Sequence, residues 1–239
     1  MTAKYELTGE TKDGLRRVRA LRDIPRWWVK AGDLGGWVES ESNLSHDGDC
    51  WVSGDARVSG AARVSGDAWV FGAALVSGDA WVSGDARVSG TAWVYGTAWV
   101  SGTAEVSGDA QVSGSARVYG TAQVYGTAQV YGTAWVSGDA QVSGSARVYG
   151  TARVSGDADW LAVGPVGSES RTVTICRRQG DGSVLVTAGC WSGTAAELRE
   201  RVASAKTRWP DAAKADRRRW ARQYRAVADL ADLMAAVTV

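Results

Sequence analysis

The 239-residue chain carries 27 Lys and Arg against 26 Asp and Glu, a formal net charge of +1. Bulk electrostatics therefore selects neither nucleic acid nor an anionic membrane as partner, and no apolar run reaches the ~20 residues of a membrane-spanning helix. Three cysteines without a CxxC spacing, Cys50, Cys176 and Cys190, read as reduced and incidental rather than as a disulfide framework. Composition is odd in one respect: thirteen Trp stand against a single Phe.

At the N-terminus, MTAKYELTGE shows no secretory leader. KYELTGE and RRVRALRDI predict two short strands joined by a Lys12-Asp13-Gly14 turn. The following stretch, Trp37 to Cys50, eases into a repeat, with Gly48, Asp49 and Cys50 in the glycine, turn and alanine slots and His46 at a valine-like slot. Residues 1–50 are read as an N-terminal cap.

Residues 51–158 are one six-residue phrase, x-Val-x-Gly-x-Ala, written eighteen times without a gap. A strand points alternate side chains to opposite faces, so an inward Val leaves both its neighbours outside. Gly bends the chain at a corner, and Asp, Thr or Ser follows at the turn. Ala is the small inward residue beside that corner. A hexapeptide period of this kind predicts a mainly β fold, a left-handed parallel β-helix with three phrases per triangular coil of 18 residues. Six coils at ~4.8 Å each would make a prism about 29 Å long. A right-handed solenoid, as in bactofilin-type polymer formers, is the alternative, and the unbroken period favours the left-handed form. One coil cannot bury its own Val and Ala, so stacking makes the core and both ends need caps.

Beyond Ala158, VGPVGSES reads as a linker. Two strands are expected at Thr172–Arg178 and Ser183–Cys190, joined by a Gln179-Gly180-Asp181-Gly182 turn. Thr194 with Glu197 forms a capping box that opens a helix, with Leu198, Val202 and Ala205 on one face. Pro210 would start a second helix, with Trp220, Tyr224, Val227, Ala231 and Met234 along one stripe. Residues 159–239 are thus expected to form a small ββαα, or α+β, domain.

The phrase KAGDLGGWVESESNLSHDGDCWV, residues 30–52, resembles the lead-in of phage and prophage hexapeptide-repeat proteins of the YdcK-like group. The stretch Val184 to Ala226, with TAGCWSGTAAEL and RQYRAV, is similar to a small domain attached to many phage proteins. The resemblance implies a left-handed β-helix of phage or prophage origin, in the host cytoplasm or in the virion. It implies no activity.

The best-known enzymes on such folds are hexapeptide acyltransferases, whose mechanism normally needs a His general base. Here the lone His46 lies before the first regular phrase and no repeat carries an insertion, so His46 is read as a structural cap residue and the protein as non-enzymatic. Recurring turn aspartates, Asp67 above Asp85 among them, are read as turn caps, with no metal and no cofactor, since calcium takes 6–8 oxygen ligands. Flat threonine ladders of an ice-binding kind are not expected, because the threonines sit at turns.

Three phrases per coil would stack Arg63, Trp81, Trp99, Arg117, Trp135 and Arg153 on one face, and Tyr95, Tyr131 and Tyr149 on another. Two accounts of the Trp/Arg column stand side by side. It could bind sugars, nucleobases or another protein, or its rungs could simply stack on one another. Eight basic residues between Ala205 and Arg225 form a second feature, with Arg218, Arg222 and Arg225 opposite the Trp220 stripe. These are read either as a solvated helix face or as a phosphate and nucleic-acid contact. The expected function is a rigid solenoid presenting a ladder to a protein, carbohydrate or nucleotide, with a C-terminal adaptor or oligomerisation domain and a homo-oligomeric state. The alternatives are an acyltransferase-like enzyme and a nucleic-acid-binding protein.

Overall fold

The computed structural model describes residues 3–178 and 183–237; the expected turn at residues 179–182 lies outside them. Each phrase forms a two-residue rung, from Trp51–Val52 to Arg153–Val154. Rungs pair in parallel every 18 residues, as in Trp51↔Trp69, Arg57↔Leu75 and Arg63↔Trp81. Three parallel faces result. The phrase's Val and Ala are fully buried along the whole run, from Val52 and Ala56 to Val154. Coils are tied at the strands and also at the corners: Arg57 N donates to Ala74 O at 2.9 Å, and Asp55 N to Gly72 O at 2.8 Å.

Each corner glycine from Gly54 to Gly150 holds a φ between 60 and 74°. Left-handed backbone favours glycine, and stacking adds a second demand. A Cβ on Gly102 would stand 2.9 Å from the backbone N and O of Gly120 in the next coil.

The N-terminal cap contains β1 (Tyr5–Lys12), β2 (Leu15–Ala20) and β3 (Leu34–Val38). Strands β1 and β2 pair antiparallel around a turn in which Asp13 and Gly14 take positive φ. Strand β3 then pairs in parallel with the rung Arg57–Val58, through Trp37↔Arg57. The solenoid therefore starts before the repeat and has about seven turns rather than the expected six. LGGWV does not match the phrase, because Gly35 and Gly36 are kept for closeness to their neighbours. A Cβ on Gly35 would come within 2.5 Å of Val52 O, and one on Gly36 within 2.6 Å of Ala56 O.

His46 does not occupy the valine-like slot. Leu44 does, bridging Val64 in parallel with 1% of its surface exposed. The corner after Leu44 is two residues longer than a regular one, so His46 and Asp47 are turned out to solvent.

At the other end a four-stranded antiparallel sheet closes the prism, in the order Trp160–Val166, Arg171–Arg177, Val184–Ala188, Trp191–Gly193. VGPVGSES is thus not a linker: Val163 to Val166 lie in the first strand and pair with the second. Strand alternation divides Arg171–Arg177 between two cores. Thr172, Thr174 and Cys176 meet the solenoid, where Thr174 Oγ1 accepts from Arg147 N at 2.9 Å and Cys176 joins the Val/Ala core. Val173 and Ile175 face the helices with Leu198, Val227, Ala228 and Ala231. The helices are α1 (Ala195–Ala203), α2 (Ala205–Arg208) and α3 (Lys214–Ala236). Thr194 and Glu197 form the expected capping box on α1. Pro210 starts no helix. It sits in the turn before α3, where Arg217 Nη1 takes up the carbonyls of Trp209 and Pro210 at 3.3 and 3.0 Å. Among the described residues no helix is long and apolar enough to cross a membrane.

Candidate functional site: the tryptophan and arginine face

The parallel register places Arg63, Trp81, Trp99, Arg117, Trp135 and Arg153 in one column, each the direct neighbour of the next. Every pair in the column is in contact. The Arg63 guanidinium lies 5.7 Å from the Trp81 ring centre, and the Trp81 and Trp99 rings stack at 5.2 Å with planes 2° apart. Arg117 sits between Trp99 and Trp135, at 5.3 and 5.1 Å, and Arg153 covers Trp135 at 4.0 Å.

This arrangement decides what the face can do. Rings that stack along the column spend their π-faces on one another and on guanidinium groups, each contact contributing about 0.5–1.5 kcal/mol. Their edges are what point to solvent. Trp81 and Trp99 remain 40% and 43% exposed, so the column is ordered and open at once. The column holds three arginines and no carboxylate. The seryl slot beside it, Ser65, Ser83, Ser101, Ser137 and Ser155, is broken by Tyr119 alone, which meets Trp135 edge-on at 6.2 Å. The tyrosines of the second face lie where expected: Tyr131 and Tyr149 stack at 4.9 Å, and Tyr95 stands apart and exposed.

The column ends at the N-terminal cap in a cavity of about 450 Å³ lined by Glu41, His46, Arg63 and Trp81 among others. His46 stacks on Tyr5 at 4.3 Å, and its Nδ1 accepts from the backbone N of Lys4 at 3.2 Å. That bond engages the Nδ1 lone pair with backbone.

Asp67 and Asp85 do stack as expected, and Arg26 bridges them with Nη1 at 3.5 Å from Asp67 and Nη2 at 2.7 Å from Asp85. Their charge is therefore met by a guanidinium. Among the described residues no group of three or more His, Cys, Asp or Glu could hold a metal ion.

Sequence reasoning missed one buried constellation. The Lys4 side chain is wholly buried, and its Nζ donates to Cys50 O at 2.9 Å and lies 3.1 Å from Cys50 Sγ. Burial holds the Lys4 ammonium below its ordinary pKa and the Cys50 thiol above its own. The available signal was Cys50 itself, the residue in the alanine slot just before the strict phrase, where a larger side chain needs a changed neighbour.

The family model for the YdcK β-solenoid repeat matches residues 52–66 and 80–96, which include Arg63 and Trp81. No curated protein matches the chain. The match supports a solenoid of YdcK-like repeats.

Arg218, Arg222 and Arg225 are all exposed and lie together on α3, where they line one cavity.

Proposed function

We propose that this is a non-enzymatic solenoid of phage or prophage origin and left-handed sense, a rigid prism that presents the Arg63–Arg153 column to a partner protein. The observation that carries this reading is the unbroken stack of Trp and Arg. Its order is fixed before any partner arrives, so little side-chain entropy is left to lose on docking. Trp and Arg are also the residues that most often anchor protein interfaces. Sugars and nucleobases bind tryptophan through the ring face, and in this column the faces are already taken. The favoured partner is a protein with a flat, acidic surface that meets ring edges and guanidinium groups.

The engagement of His46 Nδ1 by backbone supports the non-enzymatic part, because an acyl-transfer base needs that lone pair or its equivalent free. The C-terminal sheet and helices serve as adaptor and end cap, and the compartment is the host cytoplasm or the virion.

The test compares capture of partners by the parent chain, by Trp81→Ser/Trp99→Ser/Arg117→Ser, and by Trp93→Ser on a different face. A partner held by the parent and by Trp93→Ser, and lost with the triple variant, is expected. A partner set indifferent to the column defeats the docking role. Turnover of an acyl-thioester that disappears in His46→Ala without a change in melting would defeat the non-enzymatic one.

A further inference from the structure

Helices α1 and α3 leave a cleft of about 730 Å³ between them, lined by Val202, Ala203, Ala221 and the cations Lys214, Arg217, Arg218, Arg222 and Arg225. Its floor is apolar and closed, with Val202 1% and Ala221 5% exposed. Its rim is cationic, and no acid lines it. Lys214, Arg218, Arg222 and Arg225 follow at intervals of four, four and three residues, so they form one stripe, roughly 16 Å long at 1.5 Å per residue.

These four cations have no ion-pair partner among the described residues. The three acids of α3 itself are engaged elsewhere: Asp229 and Asp232 both bind Arg199 at 2.6 and 2.7 Å, and Asp216 binds Arg219 at 3.0 Å. Like charges one turn apart on a helix repel by a few tenths of a kcal/mol per pair, and here that repulsion is left uncompensated. The balanced net charge also hides a division. Residues 159–239 hold thirteen Lys and Arg against nine Asp and Glu, while the rest of the chain is acidic in balance.

We infer that the α1/α3 cleft binds the phosphodiester backbone of a single nucleic-acid strand. A line of cations at about one per helical turn suits a chain of phosphates, whereas one small phosphate compound would meet only a turn or two of it. A single file on one helix follows one strand, where a duplex presents two. No aromatic side chain lines the cleft, so base stacking has no platform there and binding would be indifferent to sequence. The cleft shares no lining residue with the Trp/Arg column, and the inference does not depend on the docking role of that face.

The test is fluorescence anisotropy of labelled oligothymidylate with the full chain, titrated with sodium chloride from low salt to about 0.2 M. Single-strand binding falls by about 0.7 log units per log unit of salt for each cation engaged, so a slope of roughly −2 to −3 is expected. Arg218→Gln/Arg222→Gln/Arg225→Gln should shed about 2 of that slope and weaken binding at least tenfold, with melting temperature and helicity unchanged. Failure of the parent to bind at low salt overturns the inference. So does equal binding by the triple variant, a tighter grip on duplex of the same length, or displacement of the strand by inorganic tripolyphosphate at equal phosphate concentration.

Discussion

Gly102 and Gly150 occupy the same slot of the same phrase, with φ of 68 and 65°, yet they face different surroundings. A Cβ on Gly102 would meet the backbone of Gly120 at 2.9 Å, and one on Gly150 would meet nothing within 4 Å. Gly150→Ala should therefore cost only the left-handed backbone term, about 1 kcal/mol. Gly102→Ala should cost about 3 kcal/mol, because the next coil must also move. Denaturant melts of the two variants read the difference directly, and equal losses would mean that coil spacing is soft. A second residue-scale effect depends on pH. Burial pushes the Cys176 thiol up to about 12 from an ordinary 9.0. Between those values the unfolded chain has lost this proton and the folded chain still holds it, so stability falls as pH rises, by about 1.4 kcal/mol per unit at most. Lys4, whose pKa is lowered by burial, acts with the opposite sign. Comparing Cys176→Ala with the parent isolates the cysteine: the variant should lose less stability between pH 9 and pH 11, whatever its stability at pH 7. An identical slope would place the thiol outside the core.

Elements in the repeat were legible from sequence because every coil presents nearly the same environment to the next. Val, Gly and Ala each have one reason to be where they are, and eighteen copies state it. The column of Arg63 to Arg153 followed from counting in eighteens, and the structure brings all six residues together. Legibility ended where that uniformity ended. Nothing in SNLSHDGDC says that Leu44 rather than His46 fills the inward slot, because the choice depends on a two-residue bulge stabilised by contacts with Lys4 and Tyr5. Gly164 and Pro165 read as punctuation, but their strand lies at the edge of its sheet, where proline's missing N–H costs no ladder bond. The helix at Pro210 failed for a different reason. Arg217 satisfies the turn carbonyls from within α3, a tertiary contact with no local signature. Of the candidate sites, the direction in which the tryptophan faces point was also beyond sequence, and it decides between a stacking ligand and an edge-on partner.

At the scale of the whole molecule, a solenoid's stability is a sum of coil terms and interface terms, and its ends are where that sum is weakest. The two ends are closed by different means. Strands β1 to β3 extend one face directly, by continuing its sheet. The C-terminal sheet lies across the last rungs and supplies side chains in place of a further coil: Thr174 Oγ1 meets Arg147 N, Ser145 Oγ lies 2.5 Å from Thr172 Oγ1, and Cys176 covers the end of the Val/Ala core. Asp157 in the final phrase and Asp159 just after it finish the task, accepting from the backbone of Gln141 and of Ser155 and Gly156 respectively. A chain ending at Ala158 would expose that core and the unpaired backbone of the rungs at Arg147 and Arg153, the template on which a second copy adds its own rungs. Such a chain should associate end to end and begin to melt from its C-terminal coils at a lower temperature than the parent. Light scattering and a thermal melt of both chains check this. A truncated monomer with the parent's melting temperature would show that the last coil is stable without its lid, and would leave the C-terminal sheet and helices to the binding role alone.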